Sequence, residues 1–106
     1  MIIVTSESIA NKRVVKTLGI VRGNTVRARH IGKDILAGLR NIVGGEVHEY
    51  AKLVAESREQ SLDRMAAEAT ELGANAVIAT RFTTSVLMGG AAELLAIGTA
   101  VIIEDS

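Results

Sequence analysis

The sequence predicts a small α+β domain in which helices pack on one face of an antiparallel sheet. Runs of β-branched residues lie at both ends of the chain, helical periodicity occupies its middle, and 106 residues leave room for one core. One domain spanning residues 1–106 is therefore expected.

The elements follow in order. Ile2 to Thr5 is a short β-branched run, and Ser6-Glu7-Ser8 with Asn11-Lys12 are the turn formers behind it. From Arg13 to Ala28, Val14, Val15, Leu18, Ile20, Val21 and Val26 have strand composition, broken by Gly19 and by Gly23-Asn24. Two strands or one bent pair fit this stretch. Gly23-Asn24 suits a hairpin turn with positive φ, whereas Gly19 can equally mark a bulge.

After Gly32, the residues Ile35, Leu36, Leu39, Ile42 and Val43 recur with helical spacing, which predicts a helix over about 33–43. Asp34 suits its first turn, and Gly44-Gly45 ends it in a tight corner. A longer helix is predicted from Glu46 to Leu72. Val47, Tyr50, Val54, Leu62, Met65, Ala69 and Leu72 fall on one side, and Gly73 stops it. Asn75 to Leu87 and Leu94 to Glu104 are then two strands expected to pair antiparallel, joined by a flexible hairpin connection over 88–93.

Composition excludes several functions. Twelve basic residues balance twelve acidic ones, and the aromatics are Tyr50 and Phe82 alone, so neither a field nor a stacking platform for nucleic acid is present. The chain has no cysteine, which removes disulfides, thiolate metal sites and a thiol nucleophile. No apolar run reaches the roughly 18 to 20 residues of a membrane-spanning helix. The start, Met1-Ile-Ile-Val-Thr-Ser, has no basic n-region or small-residue cleavage site, so a cytoplasmic protein is expected. A core of Ile, Val, Leu and Ala buries little area per residue, and a small sheet leaves an edge strand unpaired. Association with further copies of the chain relieves both.

Candidate chemistry is sparse. His30 and His48 are the only imidazoles; with Asp34, Glu46 or Glu49 they give no convincing metal-ligand spacing, and solvated or hydrogen-bonded histidines are the simpler reading. Arg22, Arg27 and Arg29 lie along a strand, so two of them are expected to share a face able to hold a phosphate or carboxylate, although a solvated face is the simpler reading. Arg40 complements the carbonyl end of the 33–43 helix. The glycine pairs at 44–45 and 89–90 match neither a dinucleotide fingerprint nor a P-loop. Ser57 or Ser85 with a histidine and Asp63 makes a hydrolase only on paper, since no nucleophile-elbow motif accompanies them. Glu56, Arg58, Glu59, Asp63 and Arg64 form a mixed-charge helix face, the usual mark of solvent or an intersubunit strip. Glu93 is the isolated carboxylate of the presumed mobile loop and is taken as a ligand-binding candidate.

Three segments, Lys33 to Gly45 (KDILAGLRNIVGG), Gly73 to Ile78 (GANAVI) and Gly98 to Glu104 (GTAVIIE), together with Val21-Arg22-Gly23 and Tyr50, resemble the YbjQ-like family of small bacterial and archaeal proteins. The resemblance covers nearly the whole chain. It implies a dodecin-like β-α-β-β subunit assembled into a ring, a pentamer, and a role in heavy-metal binding rather than catalysis. Arg40, Gly44-Gly45, Tyr50 and Arg58 match the family pattern. No metal ligand carries over, because this chain lacks the soft ligands that select a heavy metal; a metal ion remains the one cofactor implied. The expected function is thus a homo-oligomeric, non-enzymatic binding protein that takes a metal or small anionic ligand at subunit interfaces. Arg40, Tyr50, Arg58 and Glu93 are its ligand-binding candidates, and an interaction module without ligand is the alternative.

Overall fold

A computed structural model describes residues 1–27, 48–86 and 91–106. Among these, the elements run β1 (Ile2–Ile3), β2 (Lys12–Arg27), α1 (His48–Glu71), β3 (Ala76–Val86) and β4 (Ala92–Asp105). The strands form one sheet in the order β1-β3-β4-β2. The α+β class is as expected. The sheet is mixed rather than antiparallel, because β1 runs parallel to β3, Ile2 opposite Ala76 and Ile3 opposite Val77. Propensity marks a strand but not its direction: β2 and β3, each antiparallel to β4, run parallel to one another with α1 between them in the chain, and β1 runs the same way.

Strand β2 corrects the hairpin expected at Gly23-Asn24. It continues without a turn through both residues and pairs with β4 from Lys12 opposite Asp105 to Arg27 opposite Ala92. Gly23 is there for a different reason. A Cβ at this position would lie 2.2 Å from Ser61 O and 2.4 Å from Met65 N, so the backbone of α1 rests directly on the strand. Gly19, with φ +129°, sits in one of the two irregularities of β2, between Thr17 and Gly19, as the bulge reading anticipates.

Helix α1 lies over β2 and β4 and buries Ser57, Ser61, Met65 and Ala69, spaced one turn apart. Met65 and Ala69 are on the predicted apolar side. Leu72 is not buried with them: it is 47% exposed, because it belongs to the turn in which Gly73, at φ +88°, redirects the chain. Of the two buried serines, Ser61 answers polar groups of the sheet. Ser61 Oγ donates to Leu94 O at 3.1 Å and lies 3.4 Å from Thr25 Oγ1.

Register sorts the sheet residues onto two faces. Val21, Val77, Ala96 and Ala100 meet Met65 and Ala69 on the helix face. Ala76, Val101 and Ile103 lie on the other, outer face and form a second cluster with Ile9 and Ile78. The segment between β1 and β2 thus covers the lower outer face. Asn75 ties the end of this layer: its Nδ2 donates to Ile103 O at 2.9 Å, and its Oδ1 accepts from Ile103 N at 2.7 Å. At the same end Lys12 pairs with Asp105, and Arg13 with Glu104 at 3.2 Å.

The layer pair is thin and long, with extents of 55 × 28 × 16 Å. Its radius of gyration is 17.1 Å, where about 13 Å is usual for a chain of this length. The predicted helix over 33–43, its flanking Asp34 and Gly44-Gly45, and the pair 89–90 lie outside the described residues.

Candidate functional site

The upper outer face of the sheet is where side chains of different strands converge without a covering element among the described residues. Strand pairing lays them out in rows: Arg22, Ile97 and Arg81; then Asn24, Leu95 and Thr83; then Val26, Glu93 and Ser85. Adjacent strands are about 4.8 Å apart, so Arg22 and Arg81 start roughly 10 Å from each other with Ile97 between them. Ile20 and Val26 are 61% and 52% exposed. Ile97 and Leu95 are half-buried. The surface is an apolar strip with arginines at one end and a carboxylate at the other.

Arg81 reaches this face because of a bulge. The register of β3 shifts between Ile78 and Arg81, and Ala79 takes φ +54°, a left-handed conformation that costs a non-glycine residue about 1 kcal/mol or more. The extra residue turns Thr80 inward and Arg81 outward. Arg81 Nη1 then donates to Thr5 O at 2.6 Å and to Thr80 O at 2.8 Å, fixing the N-terminal segment to the strand. Thr80 Oγ1 is buried and has no hydrogen-bond partner among the described residues; Gly98 leaves the space beside it, since a Cβ there would stand 3.1 Å from that oxygen. Neither the bulge nor Thr80 was legible in the sequence, for Ala79-Thr80 carries no turn signal.

Glu93 is half-buried within β4, not in a mobile loop, because the β3–β4 ladder already closes at Val86 and Ala92. Its Oε2 accepts a hydrogen bond from Asn24 Nδ2 at 3.1 Å. Arg58 is exposed on α1, which packs against the opposite face, so the sheet separates it from Glu93. Tyr50 and His48 belong to the first turn of α1, and their side chains, like Arg40, His30 and Arg29, lie outside the described residues. Arg22 and Arg27 occupy register positions on opposite faces, opposite Ile97 and Ala92, so this pair does not form a shared anion site. Of the mixed-charge run, Glu56, Arg58, Glu59, Asp63 and Arg64 are all exposed, as expected, and Arg64 Nη1 donates to Asn24 O. Ser57 is buried under the helix while Ser85 is exposed on β3, so no serine is set against Asp63.

Among the described residues, the donor set does not suit a heavy metal. No group of three or more His, Cys, Asp or Glu side chains able to hold a metal occurs among the described residues, and the carboxylate on the candidate face is already engaged by Asn24. Soft metals select thiolate, which this sequence does not contain. No helix of the described residues is long and apolar enough to cross a membrane.

Comparison with known proteins gives the relationships of the chain. The YbjQ family, described as "Putative heavy-metal-binding", matches residues 1–104. A UPF0145 protein of Dehalococcoides mccartyi strain 195 is 56% identical over 104 residues, covering 98% of this chain and all of its own length. UPF0145 proteins of Archaeoglobus fulgidus and Pyrococcus abyssi are 58% and 57% identical, over 95% and 98% of this chain and 94% and 91% of theirs. Among solved structures, a protein of unknown function of the DUF74 family from Pediococcus pentosaceus superposes with a TM-score of 0.64 over 98% of each chain at 14% identity, a likeness of fold alone.

Proposed function

We propose, from the premise that this chain belongs to the YbjQ-like (UPF0145) family, that it is a homo-oligomeric, non-enzymatic binding protein whose ligand sits between subunits. The observation that carries this reading is the upper outer face, uncovered among the described residues, where Ile20 and Val26 are more than half exposed beside half-buried Leu95 and Ile97 in an apolar strip. A second copy laid against that strip buries it. The run β2, α1, β3, β4 supports the dodecin-like β-α-β-β subunit, with β1 as an addition, and that family form implies a closed ring of five.

The ligand class follows from what lines the face. Arg22 makes no ion pair among the described residues, and a ring brings copies of it around a shared axis. Guanidinium groups gathered in this way favour a small anion carrying carboxylate or phosphate. A metal ion is the other ligand the family description raises; in this chain, which has no cysteine, it requires histidine and carboxylate donors or a site built between subunits. Arg40, Tyr50, Arg58 and Glu93 remain the residues first mutated. The exposed apolar strip also favours a second reading, a module that docks another protein and binds no small ligand.

Calorimetric titration of the purified oligomer separates these. Saturable heat with inorganic phosphate or citrate, reduced tenfold or more in Arg22→Ala, supports the anion; saturable heat with zinc or cadmium alone supports the metal; silence with both leaves the docking module.

A further inference from the structure

Among the described residues the sheet has two open edges, and they are built differently. Strand β2 is defended. It carries Lys12, Arg13, Lys16, Arg22 and Arg27 with no acidic residue, its ladder is interrupted between Val14 and Lys16 and again between Thr17 and Gly19, and Arg64 of α1 occupies the carbonyl of Asn24. Bulges and like charges are the devices by which sheet edges refuse a further strand. The outer edge of β3 past the Ala79 bulge has no further interruption and one charge, Arg81. Beyond the short β1 pairing, Arg81 to Val86 keeps an unbroken register with β4, all of these residues are exposed, and nothing among the described residues pairs with their outer side.

The direction of the free backbone groups follows from the bonds below them. Thr80 N donates outward to Val4 O at 3.0 Å, so alternation directs the N–H groups of Phe82, Thr84 and Val86 to the same open side. An antiparallel copy of this segment, related by a two-fold axis through Thr84, meets them with matching groups. Thr84 then lies opposite its own copy, and Phe82 opposite Val86 of the partner, an apolar contact between side chains 42% and 87% exposed in one chain. On the outer face Thr83 lies opposite Ser85. The single charge, Arg81, ends roughly 20 Å from its copy along the strand, beyond the screening length at physiological salt. Pairing β2 with itself would set its bases against one another, and pairing β2 with β3 would add Arg81 to them.

We infer that β3 joins two copies of this chain edge to edge across a two-fold axis at Thr84, making one continuous sheet through both. The inference rests on the homo-oligomer reading and refines it. A two-fold contact pairs subunits, so a ring of five becomes two rings joined, and the number of copies is even.

The test measures molar mass by light scattering on wild type, Thr84→Pro and Val86→Lys. Proline at an edge position whose N–H points outward spares the β4 ladder, and Val86 is too exposed to matter to one chain, so both variants keep the wild-type far-UV spectrum. The expected result is an even-numbered wild type, a halved mass in both variants, and a disulfide between two copies on oxidation of Thr84→Cys. Variants that keep the wild-type mass overturn the β3 contact and leave the oligomer standing. A single-copy wild type overturns the oligomer itself, and a different chain co-purifying with wild type but lost from Thr84→Pro assigns the edge to that chain instead.

Discussion

Gly23→Ala is the sharpest probe of how α1 sits on the sheet. The added methyl would lie 2.2 Å from Ser61 O, 2.4 Å from Met65 N and 2.8 Å from Arg64 Cβ. Two of these atoms are helix backbone, and the third is fixed to it, so no rotamer change gives relief. The helix must retreat by about 1 Å to restore ordinary contact, loosening Met65 and Ala69 against Val21 and Ala96. Overpacking of this kind costs about 1–3 kcal/mol, against which alanine regains about 0.5–1 kcal/mol over glycine within a strand. A net loss of about 1–2 kcal/mol remains, equivalent to roughly 4–16 °C in Tm for a chain of this size. Urea unfolding followed by circular dichroism, at one fixed protein concentration, measures it. Gly98→Ala is the comparison, since its nearest obstacle is the Val77 Cγ1 methyl at 2.5 Å, an atom that side-chain rotation can move, and a smaller loss is expected there. If Gly23→Ala proves as stable as wild type, the helix does not rest on β2 in this way and the continuous strand loses its explanation.

Three further outcomes follow from the same structure. Val101→Asp places a charge at a fully buried position of the outer cluster, so the variant is expected to lose several kcal/mol and fail to assemble; a wild-type sedimentation profile would contradict the burial. Asn75→Ala removes both side-chain bonds to Ile103 and should cost about 1–3 kcal/mol in denaturant melts, with faster amide exchange at Ile103. The hydrogen bond from Lys12, with the charge of that ammonium, holds the Asp105 carboxyl below its ordinary value of 3.8, so its stabilisation is complete above that pH and disappears as pH falls through the lower, folded value. Asp105→Asn should therefore differ from wild type at neutral pH, slightly because the pair is exposed, and converge with it in acid; a gap that widens in acid would reverse the sign.

Much of this fold was legible in local sequence. The β-branched runs around Val77 and Val101 gave strands, and Gly73 gave the stop behind α1, because propensity and turn chemistry act within a few residues. Gly23-Asn24 misled for the same reason: it has the local signature of a turn, while its real constraint is a helix that reaches it from about forty positions away in the chain. Ser61 escaped an apolar-periodicity reading because it is a polar residue buried for its bonds rather than for area. Glu93 looked like a loop residue only because neighbouring glycines hid the start of β4. The candidate site was less legible still. Arg22 and Arg81 share a face by virtue of a bulge at Ala79, and the face stands out only once the helix is seen to occupy the other side.

Assembly around the upper outer face of the sheet is tested most directly by native mass spectrometry of protein purified without chelator or affinity metal, because copy number and bound mass are read together. A closed species of ten copies, two rings of five joined through β3, carrying a reproducible small added mass is the predicted result. A single copy with no added mass, stable at micromolar concentration, would contradict it.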